Sequence, residues 1–347
     1  MFSLSSIIRP HILNMKPYSS ARDEYTGKEG VFLDANENAM GSVTGSDFSR
    51  YPDPLQADVK QKMEPVFRVK SANIFLGNGS DEPIDLLFRA FCRPGIDNVI
   101  LLPPTYGMYK VSATLNEIEM RNVSLTADFQ LDTKGILEAI DGNTKLIFIC
   151  SPNNPTANLI DTAAIEVVLN SFNGIVVLDQ AYADFAEKGD FTNRLVEYPN
   201  LVVLKTFSKA WGMAALRLGM AFASAEIVAV LNKIKPPYNI NQVTQNQAIE
   251  ALDNSAAKDN FVNELNLHKS ILIQKLKSIA IVKHIYPSDT NFLLVNFLEA
   301  NAIFNYLISN KVIVRNRSSE INCEDCLRIT IGTAEENNRL IELLETY

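Results

Sequence analysis

The sequence predicts an α/β chain: a mostly parallel central sheet covered by helices, followed by a smaller α+β domain. Three observations lead there. Between residues 99 and 222, short apolar strands alternate with helical or irregular segments. Several strands are apolar without interruption, as in Lys145-Leu-Ile-Phe-Ile-Cys150 and Gly174-Ile-Val-Val-Leu-Asp179, the pattern of parallel strands covered on both faces. Beyond residue 242 the chain becomes a long amphipathic stretch and then a mixture of strands and helices. At 347 residues two domains are expected, because single cores stop growing at about 250 to 300 residues. The boundaries are read as an N-terminal arm or part of the small domain over 1–30, a large domain over 31–242 and a small C-terminal domain over 243–347.

Taken in order, residues 1 to about 30 are poorly periodic. Leu33-Asp-Ala-Asn-Glu-Asn38, a Gly/Ser-rich linker and Arg50-Tyr-Pro-Asp-Pro54 follow, the prolines forcing extended or turn geometry. Phe75-Leu-Gly-Asn-Gly-Ser-Asp-Glu82 then leads into a helix with Ile84, Leu87, Phe88 and Phe91 at i, i+3, i+4 and i+7, stopped by Pro94-Gly95. Small residues before a helix N-terminus leave N–H groups and the positive dipole end open to an anion, phosphate above all. The dinucleotide fingerprint is not met, because Glu82 stands at the third glycine position. Strands are expected at Val99–Leu102, Met120–Leu125, Leu146–Cys150, Ile175–Leu178, Leu201–Leu204 and Gly219–Phe222. The amphipathic region Val243–Ile279 crosses into the second domain. There the order is strand 281–286, strand 292–297, helix 300–310, strand 312–314, strand 327–331 and helix 334–344.

Composition narrows the partners. A net charge of -8 argues against a general nucleic-acid or acidic-membrane partner, so an anionic ligand needs a local basic pocket. Four irregularly placed cysteines, Cys92, Cys150, Cys323 and Cys326, do not make a disulfide framework and fit a reducing, cytoplasmic setting. Cys323-Glu-Asp-Cys326 has redox or zinc spacing, but no second pair follows and the three histidines are scattered, so no metal site is assigned. The first residues lack the continuous apolar core of a secretory signal, and the apolar window 211–231 is interrupted by Arg217 and Glu226, which disfavours a membrane span.

Sites in parallel sheets lie beyond the carboxyl ends of the strands. Here one strand end after another runs into polar residues: Pro103-Pro-Thr-Tyr106, Ser151-Pro-Asn-Asn-Pro-Thr156, Asp179-Gln-Ala-Tyr182 and Thr206-Phe-Ser-Lys209. Taken singly, each is turn chemistry, a helix cap or rim packing. Together they converge on one crevice, and if its ligand is a pyridine aldehyde that carries a phosphate, each residue acquires a physical task. Lys209 supplies an amine that condenses with the aldehyde, its pKa depressed by desolvation and a neighbouring cation. Asp179 keeps the pyridine nitrogen protonated, so that the ring accepts electrons. Tyr182 and Asn154 hydrogen-bond the ring hydroxyl, and Tyr106 stacks on the ring. Amides at Gly79, Ser80 and Asp81, the Ser208 hydroxyl and the Arg217 guanidinium hold the phosphate.

Over nearly its whole length the chain resembles the fold-type I, class II aminotransferases, and among them the histidinol-phosphate branch. The matching segments are Leu33–Asn38, Tyr51-Pro-Asp53, Gly77–Glu82, Pro104-Thr-Tyr-Gly-Met-Tyr109, Ser151–Thr156, Asp179 with Tyr182, Thr206–Gly212, Arg217-Leu-Gly219, Lys235-Pro-Pro-Tyr-Asn239 and Arg328-Ile-Thr-Ile-Gly332. The resemblance implies a fold-type I transferase that uses pyridoxal 5'-phosphate and small-molecule substrates. Ping-pong transamination between L-histidinol phosphate and 2-oxoglutarate would yield imidazole acetol phosphate and L-glutamate in histidine biosynthesis. It also implies a homodimer with shared sites, in which Tyr51 reaches the cofactor phosphate of the other subunit. Arg328 would bind the substrate carboxylate or phosphate, Arg315 and Tyr18 would help on the phosphate, and Asn36 would lie near the substrate. Two departures stand out: Ala157 where the family usually has glycine, and Gln180 where it usually has an acidic residue. An aromatic-amino-acid aminotransferase or a phosphothreonine decarboxylase would share everything but the substrate subsite. A non-catalytic regulator would need a DNA-binding module, which no basic helix-turn-helix before residue 30 supplies.

Overall fold

A computed structural model describes residues 2–18 and 29–347 of the chain. Seven strands, β1 (Ile74–Asn78), β2 (Asn98–Leu101), β3 (Glu119–Asn122), β4 (Thr144–Cys150), β5 (Ile175–Asp179), β6 (Leu201–Thr206) and β7 (Leu218–Phe222), form one sheet in the order β1-β7-β6-β5-β4-β2-β3. The pairs β6–β5, β5–β4, β4–β2 and β2–β3 are parallel, whereas β7 runs antiparallel to both β1 and β6. Alternate residues of one strand feed two cores. Val176 and Leu178 of β5 join one cluster while Ile175 and Val177 join the other, and β4 divides Ile147 and Ile149 from Leu146 and Phe148 in the same way. Burial on both faces is the physical reason these strands carry no polar alternation.

Helices cover each face. On one side Ile84, Leu87, Phe88 and Phe91 of helix Asp81–Phe91 pack with Ile227 and Leu231 of helix Ala225–Ile234. The arm residues Ile7, Ile8 and Ile12 are buried in this same cluster, against the large sheet. On the other side lie Met63 of helix Ala57–Phe67, Val168 of helix Thr162–Ser171 and Ala248 of helix Gln242–Asp253.

The amphipathic stretch after residue 242 is two helices, Gln242–Asp253 and Ser255–Leu276. A second, all-antiparallel sheet follows, with β8 (Val282–Ile285), β9 (Phe292–Phe297), β10 (Arg315–Asn316) and β11 (Cys326–Thr330) in the order β10-β11-β9-β8. Helices Ala300–Ser309 and Ala334–Thr346 pack on it through Ile303, Leu307, Leu340 and Leu344.

Two expected strands are corrected. Residues 312–314 are not a strand: Lys311 is left-handed at φ 64° and the Val312 amide donates back to Leu307 O, so the segment closes a helix and pairing starts at Arg315. The strand expected to reach Leu125 ends at Asn122, because β3 lies at the sheet edge and pairs with β2 alone.

Candidate active site

The lysine stretch shows how local sequence builds a rigid floor. Phe207, Ala210 and Trp211 are buried, with the Phe207 and Trp211 rings stacked at 4.7 Å, so the turn after β6 is rooted by its apolar members. Thr206 Oγ1 accepts from the Ser208 amide at 3.1 Å and donates to Ser208 Oγ at 3.0 Å. Ser208 and Lys209 are left on the crevice side, where they line the same cleft as Thr206 and Asp179.

β7 starts at this end of the sheet because it is antiparallel, which brings Arg217 beside the turn after β1. The Gly79 amide donates to Arg217 O at 2.7 Å. A Cβ on Gly219 would run into the Gly79–Ser80 backbone, and one on Gly79, itself at φ 70°, would lie 2.6 Å from Arg217 Nη2. Only glycine permits both approaches. Arg217 holds a left-handed φ of 54°, a strained conformation for a non-glycine residue that the surrounding contacts maintain.

All ten residues expected around the cofactor from within one chain line one cleft: Gly79, Ser80, Asp81, Tyr106, Asn154, Asp179, Tyr182, Ser208, Lys209 and Arg217. Cys150, Ala181, Thr206 and Ala214 complete it, and sequence reasoning had not singled them out for the site. Tyr106 donates to Asp81 Oδ1 at 3.1 Å, and the Lys209 ammonium lies 5.4 Å from the Tyr182 ring centre. Burial lowers the Lys209 pKa first; the Arg328 and Arg217 charges add to this, and Asp179 opposes it. Burial also raises that of Asp179, against hydrogen bonds from Tyr109 Oη and the Ala181 amide. Tyr109, inside a matching segment but given no role from sequence, touches Asp179 at 2.7 Å; its place three residues after Tyr106 was the available signal.

The donor set fits pyridoxal phosphate. At the phosphate end, helix Asp81–Phe91 has no side-chain cap from Ser80, and the Arg217 guanidinium donates to Ala214 O at 3.1 Å and faces a carboxylate, Asp81, at 3.7 Å. At the other end a fully buried carboxylate, Asp179, gains from a protonated ring nitrogen.

Arg328 joins from the small sheet. It donates to Asn154 Oδ1, lies over the Phe292 ring and is the register partner of Arg315 across β10–β11. Arg317, not anticipated from sequence, adds a third cation: burial lowers the pKa of Arg328 and the Arg317 charge adds to this, while both arginines oppose the burial that raises that of Tyr182. The Arg315-Asn-Arg317 spacing, two on a strand, was its signal.

The remaining expected residues lie elsewhere in the single chain. Tyr51 is half exposed, stacked on Tyr238 at 4.4 Å, in a separate cleft that also holds Asn36. Tyr18 is 74% exposed, beside Pro54 and Lys235. The Lys235–Asn239 motif ties these regions to the crevice: Lys235 Nζ donates to Pro54 O, and Asn239 Nδ2 donates to Leu76 O of β1. Both departures have a local account. Ala157 is buried at φ 73°, a conformation glycine would adopt without strain, and Gln180 anchors a loop by donating to Gly189 O and accepting from the Phe191 amide. The four cysteines are free and buried. Among the described residues no group of three or more His, Cys, Asp or Glu could hold a metal, and no helix is long and apolar enough to cross a membrane.

The profile of the family "Aminotransferase class I and II" matches residues 23–344. The chain is 55% identical over 346 residues to a histidinol-phosphate aminotransferase of Cytophaga hutchinsonii, covering 100% of this chain and 99% of that one. It is 50% identical over 345 residues to that of Parabacteroides distasonis, covering 99% of each. The fold is that of the histidinol-phosphate aminotransferase from Sinorhizobium meliloti in complex with pyridoxal-5'-phosphate, with a TM-score of 0.78 and 23% identity over 90% of this chain and 89% of that one. The L-threonine-O-3-phosphate decarboxylase from Porphyromonas gingivalis shares it too, at a TM-score of 0.72 and 22% identity over 86% and 90%. With sheet, crevice and full-length similarity in agreement, the chain belongs to the class I and II aminotransferase family, on the branch of its histidinol-phosphate relatives.

Proposed function

We infer that this chain is a pyridoxal-phosphate-dependent aminotransferase of histidine biosynthesis. It takes the amino group of L-histidinol phosphate, releases imidazole acetol phosphate, and passes the group to 2-oxoglutarate to give L-glutamate, in two alternating half-reactions. The observation that carries this is the meeting of Lys209, Asp179 and Arg217 in one crevice of a chain about half identical to such enzymes from end to end.

When bound, the cofactor supplies an electron sink for the bond broken at the substrate α-carbon. The chain's residues do the rest. Lys209 would anchor the cofactor and, as a neutral amine favoured by its burial and two nearby arginines, would take the α-proton and deliver it to the cofactor carbon on the other side of the amino nitrogen. Asp179 holds a proton on the ring nitrogen, and Tyr182 and Asn154 orient the ring hydroxyl. Gly79, Ser80, Asp81, Ser208 and Arg217 grip the phosphate, and Tyr106 covers the ring face. The Arg328 guanidinium, with Arg315, receives the anionic group of either substrate; Tyr18 and Asn36, which lie outside this crevice in the single chain, would join it only across the proposed dimer.

The proposal extends to a cytoplasmic homodimer of two-domain subunits, with the large domain over 31–242 and the small one over 243–347. The exposure of Tyr51 and Asn36 supports this, since in a dimer both could serve the partner's site. The deciding experiment measures the first half-reaction with histidinol phosphate, phenylalanine and threonine phosphate. Conversion of the cofactor to its amino form should be fastest with histidinol phosphate. A preference for phenylalanine, or carbon dioxide release from threonine phosphate, would replace this substrate assignment.

A further inference from the structure

Tyr109 is unused by the mechanism above, yet it touches Asp179, a residue that mechanism depends on. Its side chain is fully buried at the start of helix Met108–Leu115, and its hydroxyl donates to Asp179 Oδ2 at 2.7 Å. The ring cannot swing away: it stacks on Phe148 at 4.8 Å and meets Tyr106 edge-on at 5.5 Å. The other carboxylate oxygen, Oδ1, accepts from the Ala181 amide at 3.1 Å. With one donor on each oxygen, the Asp179 carboxylate is fixed in plane and rotation, with lone pairs left facing the cleft it lines.

We propose that Tyr109 is the positioning residue of Asp179, a dedicated donor that holds the carboxylate ionised and aimed at the nitrogen of the bound ring. This rests on the reading that Asp179 pairs with that nitrogen. The need for such a donor follows from the surroundings. Burial favours the neutral form of Asp179, and the Asp81 charge acts in the same direction, while Lys209 opposes them. Cys150, Tyr106 and Tyr182, the other titratable groups near the carboxylate, are all held in their neutral forms by burial. A hydrogen bond to the anion counters desolvation without adding a charge that would compete for the ring. The Tyr109 hydroxyl, its own pKa well above 10, remains a donor across the working pH range.

The test is Tyr109→Phe in the holoenzyme, alone and combined with Asp179→Asn. Loss of the hydroxyl should lower kcat by about tenfold to a hundredfold, the range for one hydrogen bond to a charged group, with KM changed by less than about twofold. Asp179 then binds a proton at higher pH, so the midpoint of the bound cofactor's absorbance change with pH should move. Affinity of the apo protein for pyridoxal phosphate, read from fluorescence of the single tryptophan, Trp211, should weaken by about tenfold. On the Asp179→Asn background the second change should cost less than about twofold, because the partner is already gone. Unchanged kcat, spectrum and affinity in Tyr109→Phe overturn the proposal, as does an equal loss on both backgrounds. If Tyr109→Phe does not fold, 3-fluorotyrosine at position 109 keeps the shape and strengthens the donor; the spectral midpoint should then move in the opposite direction, and no movement overturns the proposal. A near-normal Asp179→Asn refutes the pairing of Asp179 with the ring. A crippled Asp179→Asn beside a normal Tyr109→Phe refutes only the role of Tyr109.

Discussion

The crevice at the strand ends and the exposed face around Asn36 and Tyr51 carry equally conspicuous sequence motifs, yet the fold treats them in opposite ways. In the crevice, Asp179 is 3% exposed and every side chain is set by a strand end, a tight turn or a glycine that admits a neighbour. On the face, Val31, Leu33, Met40 and Val43 are each more than 85% exposed, and Tyr51 rests on Tyr238 without entering the crevice. The lesson is that one chain can complete a site only where its own sheet brings the parts together. Exposed apolar residues that no other described residue covers are the kind of surface that pairs with another copy.

The largest effect that would sharpen this contrast belongs to Lys209. Lys209→Ala should lower the rate by about 10³-fold or more and abolish the visible absorbance that depends on the lysine, with pyridoxal phosphate still retained by the phosphate grip. An unchanged spectrum and rate would remove the crevice from consideration. The same lysine sets a pH dependence. Because its pKa lies below the ordinary 10.5, the acid limb of kcat, which reports the lysine freed by substrate, should fall below that value. Arg328 is the largest neighbouring charge lowering it, so Arg328→Gln should move the limb to higher pH, whatever it does to substrate affinity.

The face is tested by mixing. Tyr51→Ala should weaken cofactor affinity by about fivefold to tenfold, the value of one hydroxyl donor. If Tyr51 serves the partner's site, inactive Lys209→Ala and impaired Tyr51→Ala subunits, allowed to exchange, should regain intact sites at up to about a quarter of the total. No recovery would mean that both residues act within one chain, and the contrast would collapse. The smallest effect is expected at Ala157. Replacing it by glycine relieves the left-handed strain but loosens the unfolded chain, so thermal unfolding should report a change within about 1 kcal/mol.

Much of the crevice was legible because its signals are local. Uninterrupted apolar runs marked the parallel strands, and the polar residue after each run marked the strand end, so Asp179, Asn154 and Lys209 could be grouped before any contact was known. Tyr109 escaped because its value lies in a partner 70 residues away, reached only when the start of helix Met108–Leu115 packs across β4, the strand between β2 and β5. Arg317, one residue past β10, escaped because two arginines spaced by one residue look like any solvated edge until Arg328 is set opposite Arg315. Residues 312–314 were misread as a strand because β-branched composition records a preference for pleated surface, and a helix closure overrode it.

Periodicity, turn residues and strand-end chemistry, all properties of a few neighbouring residues, were enough to determine the layered α/β architecture and to group the residues of the crevice, Lys209 among them. The reversed direction of β7, which delivers Arg217 to Gly79, the clasp of Tyr109 on Asp179 and the separation of Tyr51 from the crevice were decided only by tertiary structure. Each depends on which distant segments share a surface, and that is settled by packing the whole core at once.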